Sequence, residues 1–253
     1  MKARDGVAAG VPTPAWAEHS RWWPTLTAEE KARLLSEVGY QTVEPGEPLQ
    51  QDGATALHWI GLASGLAKFV VTTVRGKPLV YSGIAAGGWF GEGTLMRQGV
   101  WRYAALAIRQ CELVLVPRET FLWLFNRNLA FCHYLLAQLN DRLELMTLQA
   151  LDDHQGQAES IVARTLRHLL HPLAGAAGGQ LRVTQAEIAQ LCNLSRQRVN
   201  QAFGRLQADG VLQLRYGAVD IVDLDKLRIW EFCNLSGRRA PNTPARIAET
   251  TPG

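Results

Sequence analysis

Cysteine is scarce and scattered. The 253-residue chain has four, Cys111, Cys132, Cys192 and Cys233, and no CxxC pair. That argues against a structural zinc site or a disulfide framework and favours a reducing compartment. Net charge is nearly absent as well. The 26 Lys and Arg against 23 Asp and Glu leave +3, too little for a polybasic coat, so any nucleic-acid surface must be local. Long apolar runs are missing. Stretches such as 121–125 and 129–137 fall short of the roughly 18 residues a membrane span requires, and residues 1–17 lack the continuous apolar core of a secretory signal. The expectation is a soluble cytoplasmic protein with no membrane partner. Enzyme signatures are lacking too. The glycines at 88, 91 and 93 do not make GxGxxG, and Gly76-Lys77 lacks the rest of a phosphate-binding loop. No GxSxG, HExxH or kinase set occurs, so no catalytic residues and no enzyme activity are expected.

What is present suffices for a core. Hydrophobic residues make up 47% and charged residues 19%, and the length suits two domains at roughly 100–200 residues each. Residues 1–20 and 236–253 carry prolines and no apolar period, and read as flexible tails. Thr27-Ala28-Glu29-Glu30 is a capping box, which opens a short helix with Leu34, Leu35 and Val38 on its apolar face. Between Gly53 and Gly99 there are ten glycines, and short β-prone runs recur over residues 57–61, 67–74, 79–83, 103–108 and 112–116. Short strands punctuated by glycine turns predict an antiparallel sandwich or barrel.

From Phe121 to Leu151 the period becomes helical. Leu129, Cys132, Leu136, Leu139, Leu143, Met146 and Ala150 form an a/d seam flanked by Asp141, Arg142 and Glu144. Such a seam can pack on its own domain or on a second copy of the chain. Its length and its place between two domains favour the dimer. Past a break at 152–157 the period resumes through Ile161, Thr165, Leu166, Leu169 and Leu170, and stops at Pro172.

Thr184-Gln185-Ala186-Glu187 is a second capping box, opening a helix that presents Ile188, Ala189 and Leu191 to one side. Cys192-Asn193-Leu194 is a tight turn in which Asn193 can take the positive φ that a helix-turn-helix needs. A second helix over 195–209 turns Val199, Ala202, Phe203 and Leu206 inward. Its other face carries Arg196, Gln197, Asn200 and Gln201, with Arg198 and Arg205 nearby. These are the side chains that read base edges in the major groove. Residues 211–222 read as a hairpin around Tyr216-Gly217, the wing of a winged helix, and a short helix restarts at Asp223. The competing reading is a sensor module that acts through protein association. The polar face of the second helix argues against it.

In this order the parts resemble the CRP/FNR family of bacterial transcription regulators, over about residues 25–230. The carrying residues are Gly88-Trp89-Phe90-Gly91-Glu92, Val183-Thr184-Gln185-Ala186-Glu187-Ile188-Ala189, Leu194-Ser195-Arg196-Gln197-Arg198-Val199, and the wing pattern Gly210, Leu212, Gly217, Ile221, Asp223. The resemblance implies an α+β protein. Its parts would be an N-terminal antiparallel β-roll (a double-stranded β-helix like cyclic-nucleotide-binding domains) over 21–120, a dimerisation helix over 121–156, and a winged helix-turn-helix over 157–235. It implies a homodimer on a pseudo-palindromic double-stranded DNA operator, with RNA polymerase as a further partner. Thr184, Gln185 and Ser195 join Arg196, Gln197, Arg198, Asn200 and Gln201 as DNA-contacting residues, Thr184 and Gln185 at phosphates.

The same resemblance implies an effector site at Gly91, Glu92, Arg102, Tyr103 and Thr147. In the family's phosphate cassette the glutamate accepts from a ribose hydroxyl, and the arginine and backbone N–H groups hold the cyclic phosphate. Glu92 and Arg102 have the right separation, but Tyr103 stands where the cAMP binders carry a small hydroxyl residue. Met146 and Thr147 stand where those members offer Thr-Ser to the base. Cyclic AMP, another small effector, or a purely structural Glu92–Arg102 pair all remain open. Iron–sulphur members use clustered N-terminal cysteines, and the first cysteine here is Cys111, so no cluster is expected. His58 and His133 are single histidines, and His168 with His171 lacks a third ligand, so no metal is expected. In the recognition helix, Gln197 and Gln201 replace the Glu and second Arg of the best-known members. The operator should differ accordingly.

Overall fold

A computed structural model describes residues 14–18, 20–151, 157–170 and 179–232. By spatial proximity the chain divides into two compact units. One comprises Met1–Ala67 with Ile84–Leu139, the other Lys68–Gly83 with Asn140–Gly253.

The N-terminal stretch is part of the fold from residue 14 onward. A helical turn, α1 (Ala15–Glu18), and a 3-10 turn (Trp23–Thr25) bring Trp16, Ala17, Ser20, Trp22 and Trp23 into the core. This corrects the expectation of a tail up to residue 20. Proline and polarity suggested disorder there, but the indoles supply enough apolar surface to dock the segment. Residues 1–13 and 236–253 lie outside the described residues. Helix α2 (Ala28–Glu37) starts as expected, with Thr27 Oγ1 accepting from Glu30 N and Glu30 Oε2 accepting from Thr27 N.

The β domain is built from β1 (Gly39–Val43), β2 (Pro48–Gln50), β3 (His58–Ser64), β4 (Leu66–Thr72), β5 (Pro78–Ala85), β6 (Trp89–Phe90), β7 (Ala104–Ala107) and β8 (Cys111–Pro117). Two four-stranded sheets run in the orders β1-β8-β3-β6 and β2-β7-β4-β5. The resolved pairings are antiparallel, with Trp59 opposite Val116 and Tyr40 opposite Val114. Strands β1, β2 and β6 lack a sequence counterpart: β2 and β6 span only three and two residues, and β1 is exposed at most of its positions, so none shows alternation. A short helix, α3 (Glu92–Met96), follows Gly91, which takes φ 105. A Cβ on Gly91 would come within 2.6 Å of the Trp101 ring, so glycine is required there for space as well as for φ.

The helical reading from Phe121 to Leu151 is interrupted. Helix α4 (Arg118–Arg127) ends at Asn128, whose Oδ1 accepts from Phe131 N and so caps α5 (Leu129–Leu151). An interior Asn caps more readily than it propagates a helix. Phe131, Leu135, Gln138, Leu145 and Leu148 are buried along α5.

In the second unit, α6 (Ala158–Leu170) buries Val162, Ala163, Leu166, Leu169 and Leu170. A three-stranded sheet, in the order β10-β11-β9, comprises β9 (Gln180–Leu181), β10 (Leu212–Arg215) and β11 (Ala218–Ile221). Helices α7 (Gln185–Cys192), α8 (Arg196–Ala208) and α9 (Leu224–Phe232) complete it. Helix α9 runs on to Phe232, and its Trp230 donates to Asp209 Oδ2 at the C-terminus of α8. Residues 152–156, residues 171–178 with His171, and Cys233 lie outside the described residues.

Candidate nucleic-acid interface

The helix-turn-helix is assembled by local chemistry at each joint. Thr184 Oγ1 accepts from Glu187 N while Glu187 Oε2 accepts from Thr184 N, so the capping box read in the sequence closes α7. Asn193 holds φ 52 and ψ 34, the left-handed turn anticipated for it. Its Nδ2 donates to Val80 O at 2.5 Å within the same unit. Ser195 caps α8, accepting from Arg198 N at 3.3 Å.

Helix α8 is two-sided. Val199, Ala202, Phe203 and Leu206 are all fully buried. Ser195, Arg196, Gln197, Arg198, Asn200 and Gln201 are exposed. Arg205, grouped with the basic residues in the sequence, instead pairs with the buried Glu159 of α6 at 2.5 Å. That pair ties α8 to α6 through an arginine that remains largely exposed. Gln185 is half-buried, and its Nε2 donates to Asn200 Oδ1 at 3.2 Å. Sequence reading missed this contact because the two residues are fifteen apart and meet only when the turn closes.

The wing is a two-stranded hairpin in which Leu212 faces Ile221 and Arg215 faces Ala218. Tyr216 is wholly exposed at its tip, and Gly217 carries φ 67. Arg215 Nε meets Asp220 Oδ2 at 2.8 Å, and this hydrogen bond leads the causes that hold Asp220 below the usual carboxylate range.

In the same unit Glu231 is strongly perturbed. Glu231 is fully buried, and its carboxylate meets Arg167 Nε at 2.6 Å. Burial pushes its pKa up to about 7, opposed by the guanidinium groups of Arg167 and Arg164.

In the first unit, Gly91 and Glu92 lie at the start of α3. Glu92 is fully buried and Arg102 exposed. Tyr103 is half-buried, its ring edge-on to Trp101 at 5.6 Å, and its carbonyl accepts from Gln50 Nε2. A phenol with an aromatic neighbour therefore stands where the resemblance implies a small hydroxyl residue. Thr147 is exposed, and its hydroxyl donates to Leu143 O one turn back. His58 is half-buried, with its pKa lowered by burial. His133 is exposed on α5. Among the described residues no group of three or more His, Cys, Asp and Glu could hold a metal ion. No described helix is long and apolar enough to cross a membrane.

Helix α5 carries both faces that the heptad pattern left open. Leu129, Leu136, Leu143 and Met146 are 48–69% exposed, and Cys132 and Leu139 are half-buried. The buried row runs along a different side. Ala150 belongs to the helix, but its side chain lies outside the described residues.

An antiparallel β-roll followed by a long helix and a winged helix-turn-helix defines a class of DNA-binding regulator. Residues 40–128 match the cyclic nucleotide-binding domain family, and residues 162–230 match the Crp-like helix-turn-helix domain family. The cyclic AMP receptor protein of Thermus thermophilus is 27% identical over 202 residues, covering 78% of this chain and 89% of its own length. The CRP-like protein Clp of Xanthomonas euvesicatoria is 27% identical over 206 residues, covering 78% and 81%. The structure of FixK2 from Bradyrhizobium japonicum shares the fold, with a TM-score of 0.59 at 17% identity, over 77% of this chain and 97% of that one. The chain belongs to the CRP/FNR family of DNA-binding transcription regulators.

Proposed function

We propose that the protein acts as a homodimer whose two α8 helices enter successive major grooves of a pseudo-palindromic operator, with half-sites about 10–10.5 bp apart. The observation that carries this reading is the two-sidedness of α8, with a sealed apolar face behind Arg196, Gln197, Asn200 and Gln201. Arg196 would take guanine through O6 and N7, and Gln197 and Gln201 would favour adenine. The N-terminus of α7, from Thr184 and Gln185, would meet phosphate through its backbone N–H groups, because the Thr184 hydroxyl is already engaged in the cap.

The dimer contact is the exposed row of Leu129, Cys132, Leu136, Leu139, Leu143 and Met146, with Ala150 continuing it. Four large apolar side chains in one helical row have no reason to face water in a monomer. DNA as the target implies a cytoplasmic protein with RNA polymerase as a further partner, and a regulator rather than an enzyme.

The β-roll would bind a small effector that favours the DNA-competent dimer. Gly91 and the buried Glu92 keep the form of the cassette, whereas Tyr103 alters its mouth. The relative from Thermus is a cyclic AMP receptor protein, and a solved Clp structure is described as c-di-GMP responsive, so both ligands belong in the test. The experiment is selection of bound duplexes from a random library with no ligand, with cAMP and with c-di-GMP. A two-fold site in any arm supports the reading, and dependence on one ligand identifies the effector. No site in any arm overturns it.

A further inference from the structure

Two of the candidate DNA-contacting residues touch each other. Gln185 opens α7 and Asn200 lies in α8, one turn beyond Arg196, and Gln185 Nε2 donates to Asn200 Oδ1 at 3.2 Å. A carboxamide has an acceptor on one side and donors on the other. To read adenine in the usual bidentate way, an asparagine must accept from N6 with its oxygen and donate to N7 with its nitrogen. Here that oxygen already accepts from Gln185, which engages one of its two lone pairs and holds the amide in one orientation.

From this geometry we infer that Gln185 is a positioning residue that sets the polarity of Asn200. With its oxygen engaged in this way, Asn200 presents its donors to the groove and favours a base that offers an acceptor there. Guanine (N7 and O6) and thymine (O4) satisfy it, and adenine does so through N7 alone, without its bidentate pose. Cytosine, which offers only the N4 amino donor at that edge, is rejected. Gln185 thus contributes to sequence choice without touching a base, beyond any phosphate contact made by its backbone. The inference rests on α8 being the base-reading helix.

The test is selection of bound duplexes with the full chain, under whichever ligand condition supports binding, for the wild type and three variants. Asn200→Ala should erase the preference at one symmetric pair of positions. Gln185→Leu removes the donor and should relax that same position, admitting adenine in its bidentate pose. Gln185→Glu is the decisive variant. Its carboxylate can only accept, so it would bond Asn200 Nδ2 and turn Oδ1 toward the DNA. The preference at that position should then move toward cytosine or adenine, which carry amino donors, by about tenfold relative to guanine and thymine.

An unchanged base profile in Asn200→Ala removes Asn200 from base reading and this inference with it. An altered profile in Asn200→Ala beside an unaltered one in both Gln185 variants overturns the positioning role alone. A uniform loss of affinity in Gln185→Glu, with every base preference retained, makes Gln185 a phosphate-side residue only and also overturns it. Far-UV circular dichroism of each variant establishes that the comparison is between folded proteins.

Discussion

Gln138 of α5 donates from Nε2 to the backbone carbonyl of Trp89 at 2.6 Å, and both residues are buried. Trp89 sits three residues before Glu92 in the Gly-Trp-Phe-Gly-Glu segment. One side chain on the long helix therefore holds the backbone of the cassette directly. Gln138→Leu keeps most of the volume and strips the donor from a buried carbonyl. A loss of about 1–3 kcal/mol in unfolding free energy is expected in urea denaturation. An unchanged midpoint would show that the bond carries no net stability.

Arg196 occupies the first position of α8 behind the Ser195 cap. Arg196→Ala should cost about 1–3 kcal/mol on the selected operator, concentrated at one base pair per half-site. Titrations against operators mutated at single positions decide the matter. An equal loss on every sequence would assign Arg196 to phosphate.

Leu143 is 63% exposed, so a charge there costs little in an isolated chain and much in a dimer. Leu143→Asp should sediment as a folded monomer and lose affinity for a full two-fold site while keeping its helical signal. A variant that remains dimeric would remove this row of residues from the interface.

Burial raises the Glu231 pKa to about 7, above its ordinary 4.5. The folded state therefore holds this proton more tightly than the unfolded chain does. The contribution is complete below about pH 4.5, and is lost as pH rises through about 7. Thermal melts of wild type and Glu231→Gln between pH 5 and 8 should show the wild type losing stability more steeply. Arg167 and Arg164 oppose the shift and Glu144 adds to it, so parallel curves would mean that the Arg167 pair keeps Glu231 ionised throughout.

Much of the recognition machinery was legible because its signals are local. Both capping boxes, the left-handed Asn193 and the Tyr216-Gly217 turn each depend on residues within a few positions of one another. The inward set Val199, Ala202, Phe203 and Leu206 follows from helix period alone. What escaped depends on distant partners. The docking of Trp16 and Trp22, the diversion of Arg205 to Glu159 and the Gln185–Asn200 bond exist only once the chain has folded. The break at Asn128 was masked for a different reason: apolar residues continue on both sides of it, and the period alone does not register a side chain that caps in mid-run. The effector was the least legible, because the cassette is read from the resemblance alone and Tyr103, beside Trp101, stands where that resemblance implies a small hydroxyl.

Five indoles of the first unit, those of Trp16, Trp22, Trp23, Trp59 and Trp89, lie in contact, with the Trp59 and Trp89 rings 4.3 Å apart and Trp22 5.0 Å from Trp89. Chromophores this close share excitation, so this cluster contributes a coupled part of the protein's ultraviolet emission and near-ultraviolet dichroism, beside Trp101, Trp123 and Trp230. Because Trp16 and Trp22 come from the N-terminal segment, Trp59 and Trp89 from the sheet, and Phe131 of α5 packs against Trp22 and Trp59, a shift of any of the three changes the optical signal. The molecule carries a built-in spectroscopic gauge at the junction of its cassette and its long helix, and a ligand that moves that junction can be followed without a label.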